Sequence, residues 1–400
     1  MRPLTAESSI SFEVLGLPAL LDTPPGPLAE RFGKWLEGFV LAAAAPPAAP
    51  PRLRYALVPV PGRDGEGNSD GDCEGNSDGD GDGDGDGNEW QLLESDTSDT
   101  SHASDTSDTG DTSHASDTSD TGDTDDTSTA SAPSAPAPIA QGSPPLLFAA
   151  LQDQLIWRMG DTDAGSRALV HAAALARGGR AVILAGDSHA GKTSLAVTLL
   201  GLGFAFLSDE VVALDLLGRV LGCPFPLRLR QSARRHLELL PGGPLAPPTS
   251  GGPLAPPTSG GPLAPPTSGG SLAPPTSGGP LAPPTSGGPL DLDSEPFTHH
   301  GEPTLIAQVT AAHRAPTGSP IPVVAIVWPR LVSPRDRPSL EQALVPPGEA
   351  TLRLLGAIFN GQALGERGLD IAAALGRAVP CVTMTGSDLA LMGDAIAALV

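Results

Sequence analysis

One octapeptide constrains this chain more than any other segment. Gly186-Asp187-Ser188-His189-Ala190-Gly191-Lys192-Thr193 satisfies the pattern GxxxxGK[ST], which has its chemical meaning only between a strand and a helix. The flanks meet that demand. Residues 181–185 (AVILA) are a continuous apolar run of strand length, and SLAVTLL at 194–200 opens a helix directly after the loop. Glycines in such a loop let backbone N–H groups turn inward as a nest for phosphate oxygens, at the positive end of the following helix. The pattern predicts that Gly186 through Ser194 cradle the phosphates of ATP, that Lys192 reaches the β- and γ-phosphates, and that the Thr193 hydroxyl ligates Mg2+. Only two lysines occur in the chain, Lys34 and Lys192. Composition alone therefore yields ~0.004 chance matches to the pattern, too few for an accidental glycine-rich turn.

A second group follows one helix later. The apolar run FAFL (204–207) ends in Ser208-Asp209-Glu210 and continues as VVALD. Paired acids at a strand end can hold Mg2+ and polarise water, as in an ATPase, or take the proton of an attacking hydroxyl, as in a kinase. Their position so soon after the loop suits a kinase. His171 lies among apolar residues on the predicted strand SRALVHAAALA; taken alone, such a histidine reads as a satisfied core residue. Arg228 and Arg230 alternate along 226–230, which describes the solvated face of a strand or a bidentate clamp for phosphate or substrate.

Composition mostly describes two spacers. The net charge is -23, yet 22 of the acids lie between Asp64 and Asp126, where there is no Lys or Arg. The remainder is close to neutral, which argues against nucleic-acid binding and against a basic membrane surface, since both need clustered cations. Within 61–143 the chain repeats EGNSDGD (66–72, 74–80) and SHASDTSDTGDT (101–112, 113–124), and apart from the short EWQLLE at 89–94 almost nothing in it can be buried, a composition expected to stay disordered. Asp78, Asp80, Asp82, Gly83 and Glu89 fit the spacing of an EF-hand loop, but Asp-Gly repeats match it by composition and no amphipathic helix precedes them. From Gly242 to Ser286 the nonapeptide GGPLAPPTS occurs five times, once with Ser271 for Pro. Nine residues with one leucine cannot build a stacking repeat, so this too reads as a disordered insert. Cys73, Cys223 and Cys381 have no metal or disulfide spacing, the first residues lack a signal-peptide core, and no apolar run reaches membrane-spanning length. These features predict a cytoplasmic location with no membrane association.

The expected organisation is a small α+β unit at 1–60, the acidic segment at 61–143, an α/β nucleotide-binding domain in two parts (144–240 and 291–400), and the repeat insert at 241–290. The first unit holds strands at 8–15 and 52–60, with Thr23 opening a helix. In the α/β part, strands are predicted at 168–175, 181–185, 204–207, 211–215, 219–222, 226–230, 322–328 and 380–384. Helices are predicted at 144–157, 191–202, 338–345, 349–359, 368–377 and 387–399.

Residues 171–214, HAAALARGGRAVILAGDSHAGKTSLAVTLLGLGFAFLSDEVVAL, resemble the catalytic domain of HPr kinase/phosphorylase. A strand histidine, a GDSGxGKS-type loop and an acidic pair after a short helix occur in that order in the family. The chain also looks similar to HPr-kinase-related proteins found beside peptide-modification and exosortase gene sets, through Pro224-Phe225-Pro226, PVVAIVWPRL and CVTMTGSDLALMGDAI. The resemblance implies a P-loop fold like that of phosphoenolpyruvate carboxykinase and an ATP- and Mg2+-dependent kinase acting on a serine of a protein or peptide. Asp209 would match the general base, Glu210 the carboxylate near Mg2+ with Thr193, and His171 the strand histidine at the active site. Ring-forming family members imply a homo-oligomer. The chain departs from the family at His189, which stands for Gly or Ala, at Ser194, which stands for Glu, and in lacking an IRGxG signature. Two other readings remain open: a nucleotide-binding regulatory or scaffold protein without phosphotransfer, and a simple ATPase. Deleting 242–286 is expected to leave ATP binding unchanged in a titration; lost binding would show that the repeat is no inert insert.

Overall fold

A computed structural model describes residues 8–39, 51–60, 89–95, 137–162, 165–231, 233–234, 288–293, 295–333 and 338–400. Most of the acidic repeats, Asp78 to Gly83 of the EF-hand pattern, and the GGPLAPPTS repeats lie outside the described residues. The chain divides into two units, Met1–Met159 and Gly160–Val400.

The first unit is a five-stranded sheet in chain order: β1 (Ser8–Val14), β2 (Leu17–Thr23), β3 (Leu53–Pro59), β4 (Trp90–Ser95) and β5 (Ala140–Gly142). β2 and β3 are parallel and the other pairs antiparallel. Helices α1 (Pro27–Trp35) and α2 (from Pro144, ending at Thr162) accompany it. Alternation drives the packing: Phe12 and Val14 of β1 are buried with Phe32 and Trp35 of α1, and the Trp35 ring lies 4.8 Å from that of Phe148 on α2.

Three expectations change here. Thr23 ends a strand rather than opening a helix, because LPALLDT pairs along its whole length with β1. The acidic segment is not disordered throughout: residues 90–95 and 140–142 are strands, since Leu92 is the apolar side chain this segment can bury. The unit boundary falls at Met159 rather than at residue 144, because Leu147, Phe148 and Leu151 of α2 are core residues of the first unit.

The second unit is a mixed α/β structure built on β8 (Arg180–Ala185), β16 (Ile321–Leu331) and β18 (Cys381–Gly386), three parallel neighbours with β16 in the middle. β7 (Ala172–Arg177) and β9 (Ala205–Ser208) extend the β8 edge antiparallel, and β17 (Leu340–Leu344) closes the other edge against β18. A branch of β6 (Ala168–Val170), β10 (Val212–Leu214) and β11 (Arg219–Leu221) joins the start of β16. A separate antiparallel sheet pairs β12 (Leu227–Arg230), β13 (Leu290–Leu292) and β14 (Phe297–His299) with β15 (Glu302–Val309).

Period-two alternation places apolar residues on both faces of the central sheet. Ala174, Ile183 and Ile326 share one core with Ala350 and Leu354 of α4 (Pro347–Ala357) and Ile371 and Leu375 of α6 (Glu366–Ala378). Leu175, Leu184 and Val327 share the other with Leu195 and Leu199 of α3 (Lys192–Gly201) and Met392 of α7 (Leu389–Ala397). Helix α5 (Gly361–Leu364) is a single turn between α4 and α6. Among the described residues no helix is long and apolar enough to cross a membrane.

The predicted helix at 338–345 is a correction. Its residues have helical propensity, but Pro338 and Pro346 bracket them and the segment pairs with β18 as edge strand β17. The 290–309 strands were not anticipated; Leu290, inside the expected insert, already begins β13. Where α6 crosses α4, a Cβ on Gly376 would lie 3.0 Å from the Pro347 carbonyl oxygen, whereas one on Gly356 would meet nothing within 4 Å. Gly376→Ala should therefore cost ~1–3 kcal/mol and lower the urea midpoint, while Gly356→Ala leaves it level or slightly higher.

Candidate functional site

The glycine-rich loop joins β8 to α3 at the C-terminal end of the parallel strands. Three of its residues are left-handed: Gly186 (φ 138°), His189 (φ 66°) and Gly191 (φ 96°). Gly191 has two reasons to be glycine, since a Cβ there would also lie 2.9 Å from the Leu331 Cβ. It caps α3 without a side chain, so the N–H groups of the first turn are free to meet an anion. His189 pays for its backbone conformation in strain and is steadied from outside: Arg230 Nη1 lies 2.6 Å from its Nε2.

Lys192 is buried, with its Nζ donating to the carbonyls of Gly186 (2.7 Å) and Asp187 (3.0 Å). The same nitrogen lies 3.2 Å from His171 Nε2. Burial pulls the Lys192 pKa down, opposed by the charges of Asp209, Glu210 and Asp187. His171 occupies the step between β6 and β7, its backbone N–H donating to the Ala357 carbonyl at 2.9 Å. Burial and then Lys192 depress its pKa. With the ammonium donating to Nε2, the neutral ring carries its proton on Nδ1, 3.1 Å from the Glu210 carbonyl oxygen it then donates to. This histidine is half-buried and lines a cleft; it is not the core residue its apolar neighbours suggest.

Asp209, at the end of β9, is buried and accepts from the Thr193 hydroxyl at 2.9 Å. Burial, then the charge of Glu210, raises its pKa from 3.8 to about 6, partly offset by the Thr193 hydrogen bond and Lys192. Glu210 is half-buried and itself left-handed (φ 68°). Its carboxylate lies near His171 and Arg228: Oε2 is 3.7 Å from His171 Nδ1, and Oε1 is 3.9 Å from Arg228 Nη2. The fold thus gathers Lys192, His171, Thr193, Asp209 and Glu210 into one site, but it pairs Thr193 with Asp209, not with Glu210. Asp187, Ser188 and His189 are exposed along the loop, while Ser194 is buried beneath it.

The arginines of β12 belong to the site rather than to a solvated face. Leu227 and Leu229 point into the core, which sends Arg228 and Arg230 toward Glu210 and His189. His299 on β14 joins them, its Nε2 3.1 Å from Arg228 Nη1. The alternation was visible in the sequence; the partner was not. On the other side of the loop, an open cleft of about 1220 Å3 runs from His171 and Gly186 to Trp328 and Arg353. Nothing in the sequence pointed to those last two.

Chemically, the arrangement offers a buried ammonium, a helix N-terminus, an oxygen pair from Thr193 and Asp209, and a second carboxylate beside a neutral imidazole. No protein-family model matches this chain, and no curated protein matches it.

The raised pKa of Asp209 has a measurable consequence without any ligand. The folded state holds this proton more tightly than the unfolded chain, so stability is lost as pH rises from about 4 through about 6. Thermal melts of Asp209→Asn should show a gain over the parent that grows across that window and is constant above it.

Proposed function

We propose that this chain is an ATP- and Mg2+-dependent kinase of the HPr kinase-related type that phosphorylates a serine hydroxyl on a protein or peptide. The observation that carries the reading is the contact between Thr193 and Asp209 beside the buried Lys192. Phosphoryl transfer needs a cation-binding oxygen pair next to a phosphate cradle, and the two halves come from separate segments of the sequence.

The residues fit Mg2+. Thr193 and Asp209 present two hard oxygens 2.9 Å apart. Among the described residues no cluster of three or more His, Cys, Asp or Glu side chains could hold a metal alone. Mg2+ suits that situation, because it takes one or two carboxylates and completes its shell with phosphate oxygens and water. When bound it would neutralise charge on the β- and γ-phosphates.

The loop N–H groups and Lys192 orient the triphosphate. The serine oxygen bonds to the γ-phosphorus as the bond from that phosphorus to the bridging oxygen breaks, leaving the electron pair on ADP. The serine proton passes to a carboxylate. Geometry favours Glu210 for that step: Asp209 is engaged with Thr193, whereas Glu210 is the more accessible and lies against His171. The two acids then exchange the roles that the family resemblance gives them.

The test combines labelled ATP, candidate acceptor proteins and three variants. Lys192→Ala should weaken ATP binding at least ~10-fold, since it removes a buried charged donor. Asp209→Asn should lose the Mg2+ dependence of binding, and Glu210→Gln should bind Mg2+–ATP normally yet transfer ~100-fold less label to serine. Free phosphate without labelled serine would make the protein an ATPase. ATP binding with no turnover, unchanged in Asp209→Asn and Glu210→Gln, would leave a nucleotide-binding scaffold and overturn the kinase reading.

A further inference from the structure

We infer that the cleft between the glycine-rich loop and α4 is the nucleoside subsite, and that it takes a purine by stacking on Arg353, which Trp328 backs. This rests on the proposed ATP binding and adds what the loop cannot supply, selection of the base.

The cleft starts where the phosphates would end. One wall is the outer side of the loop, Gly186 to Ala190, with His171; the opposite wall is α4, through Leu352, Arg353 and Gly356. Its floor is the C-terminal end of β16 and β18, where Trp328, Thr383 and Thr385 stand side by side. At about 1220 Å3 it has room for a nucleoside, and pockets for such ligands are commonly ~300–1,000 Å3.

The lining chemistry suits a flat, electron-rich heterocycle. The Arg353 guanidinium stands 5.5 Å from the Trp328 ring centroid and is tethered by Glu349 on the same helix. The indole itself is only 8% exposed beneath the guanidinium, so the face open to a base is that of Arg353, a cationic plane backed by an aromatic ring. Leu352 is 69% exposed and Phe359 42% exposed at the rim, an apolar edge that a base would cover. The Thr385 hydroxyl can donate to or accept from a base edge or ribose, and Thr383, whose hydroxyl donates to the Ala343 carbonyl at 3.2 Å, can accept.

The acceptor peptide has a different approach. Asp209, Glu210, Arg228 and His299 do not line this cleft, whose one acid among the described residues is Asp187. A serine placed against Glu210 would therefore reach the γ-phosphate from the β12 side, leaving the α4 side to the nucleoside.

Gly356 provides an obstructive test, because a side chain there enters open space rather than the core. Affinities for Mg2+–ATP and for inorganic tripolyphosphate are measured on the full chain, Gly356→Leu and Arg353→Ala, with thermal melts to confirm folding. Gly356→Leu should weaken ATP at least ~10-fold and Arg353→Ala ~3–10-fold, with tripolyphosphate within ~2-fold of the parent in both. Unchanged ATP affinity in Gly356→Leu overturns the assignment. So does equal weakening of both ligands, which would place the effect at the loop. A raised acceptor KM with intact ATP binding would give the cleft to the acceptor instead. If the parent chain binds tripolyphosphate but shows no preference for ATP, the subsite fails while the phosphate cradle stands. If it binds neither, the ATP reading itself fails.

Discussion

The ammonium of Lys192 is the group around which the second unit arranges itself. An ammonium withdrawn from water is costly unless its donors are met, and here the Gly186 and Asp187 carbonyls and the His171 ring meet them. Each partner is fixed by something else. The two carbonyls face inward because the loop turns through left-handed positions at Gly186 and Gly191. His171 is held neutral, with its second nitrogen committed to the Glu210 backbone. Asp209 and Glu210 supply the compensating negative charge without touching the lysine directly.

A triphosphate entering the loop would offer Lys192 oxygen acceptors of greater charge than two carbonyls, and the free first-turn N–H groups of α3 would gain partners at the same time. Thr193 and Asp209 already satisfy one another, so a cation would replace a hydrogen bond rather than fill a void. The central sheet makes this possible by being buried on both faces. α3 packs against one core and α4 against the other, so the loop and the cleft beside it rest on strands that cannot shift independently.

The parts legible in the sequence were those whose signal is local. The strand, loop and helix from Arg180 to Gly201 follow from one octapeptide and its apolar flanks, and the acids at 209–210 follow from a strand end. What escaped depended on partners distant in the chain. Leu340–Leu344 has the residues of a helix and becomes a strand because β18 offers an edge between two prolines. Residues 90–95 sit between two acidic repeats and form a strand because they pair with β3 and bury Leu92. Arg228 reads as solvated until Glu210 and His299 are brought to it by β9 and β14. The Thr193–Asp209 pair, rather than Thr193–Glu210, follows from the left-handed turn at Glu210, which no spacing rule encodes.

On the proposed function, Lys192 exchanges the loop carbonyls for phosphate oxygens when nucleotide binds. The chain contains only one other lysine, Lys34 in the first unit, so lysine-selective 13C labelling gives two side-chain signals in a heteronuclear NMR spectrum. On titration with Mg2+–ATP, the Lys192 signal should shift or broaden to saturation while that of Lys34 stays in place. A Lys192 signal that does not move at millimolar nucleotide would contradict the account.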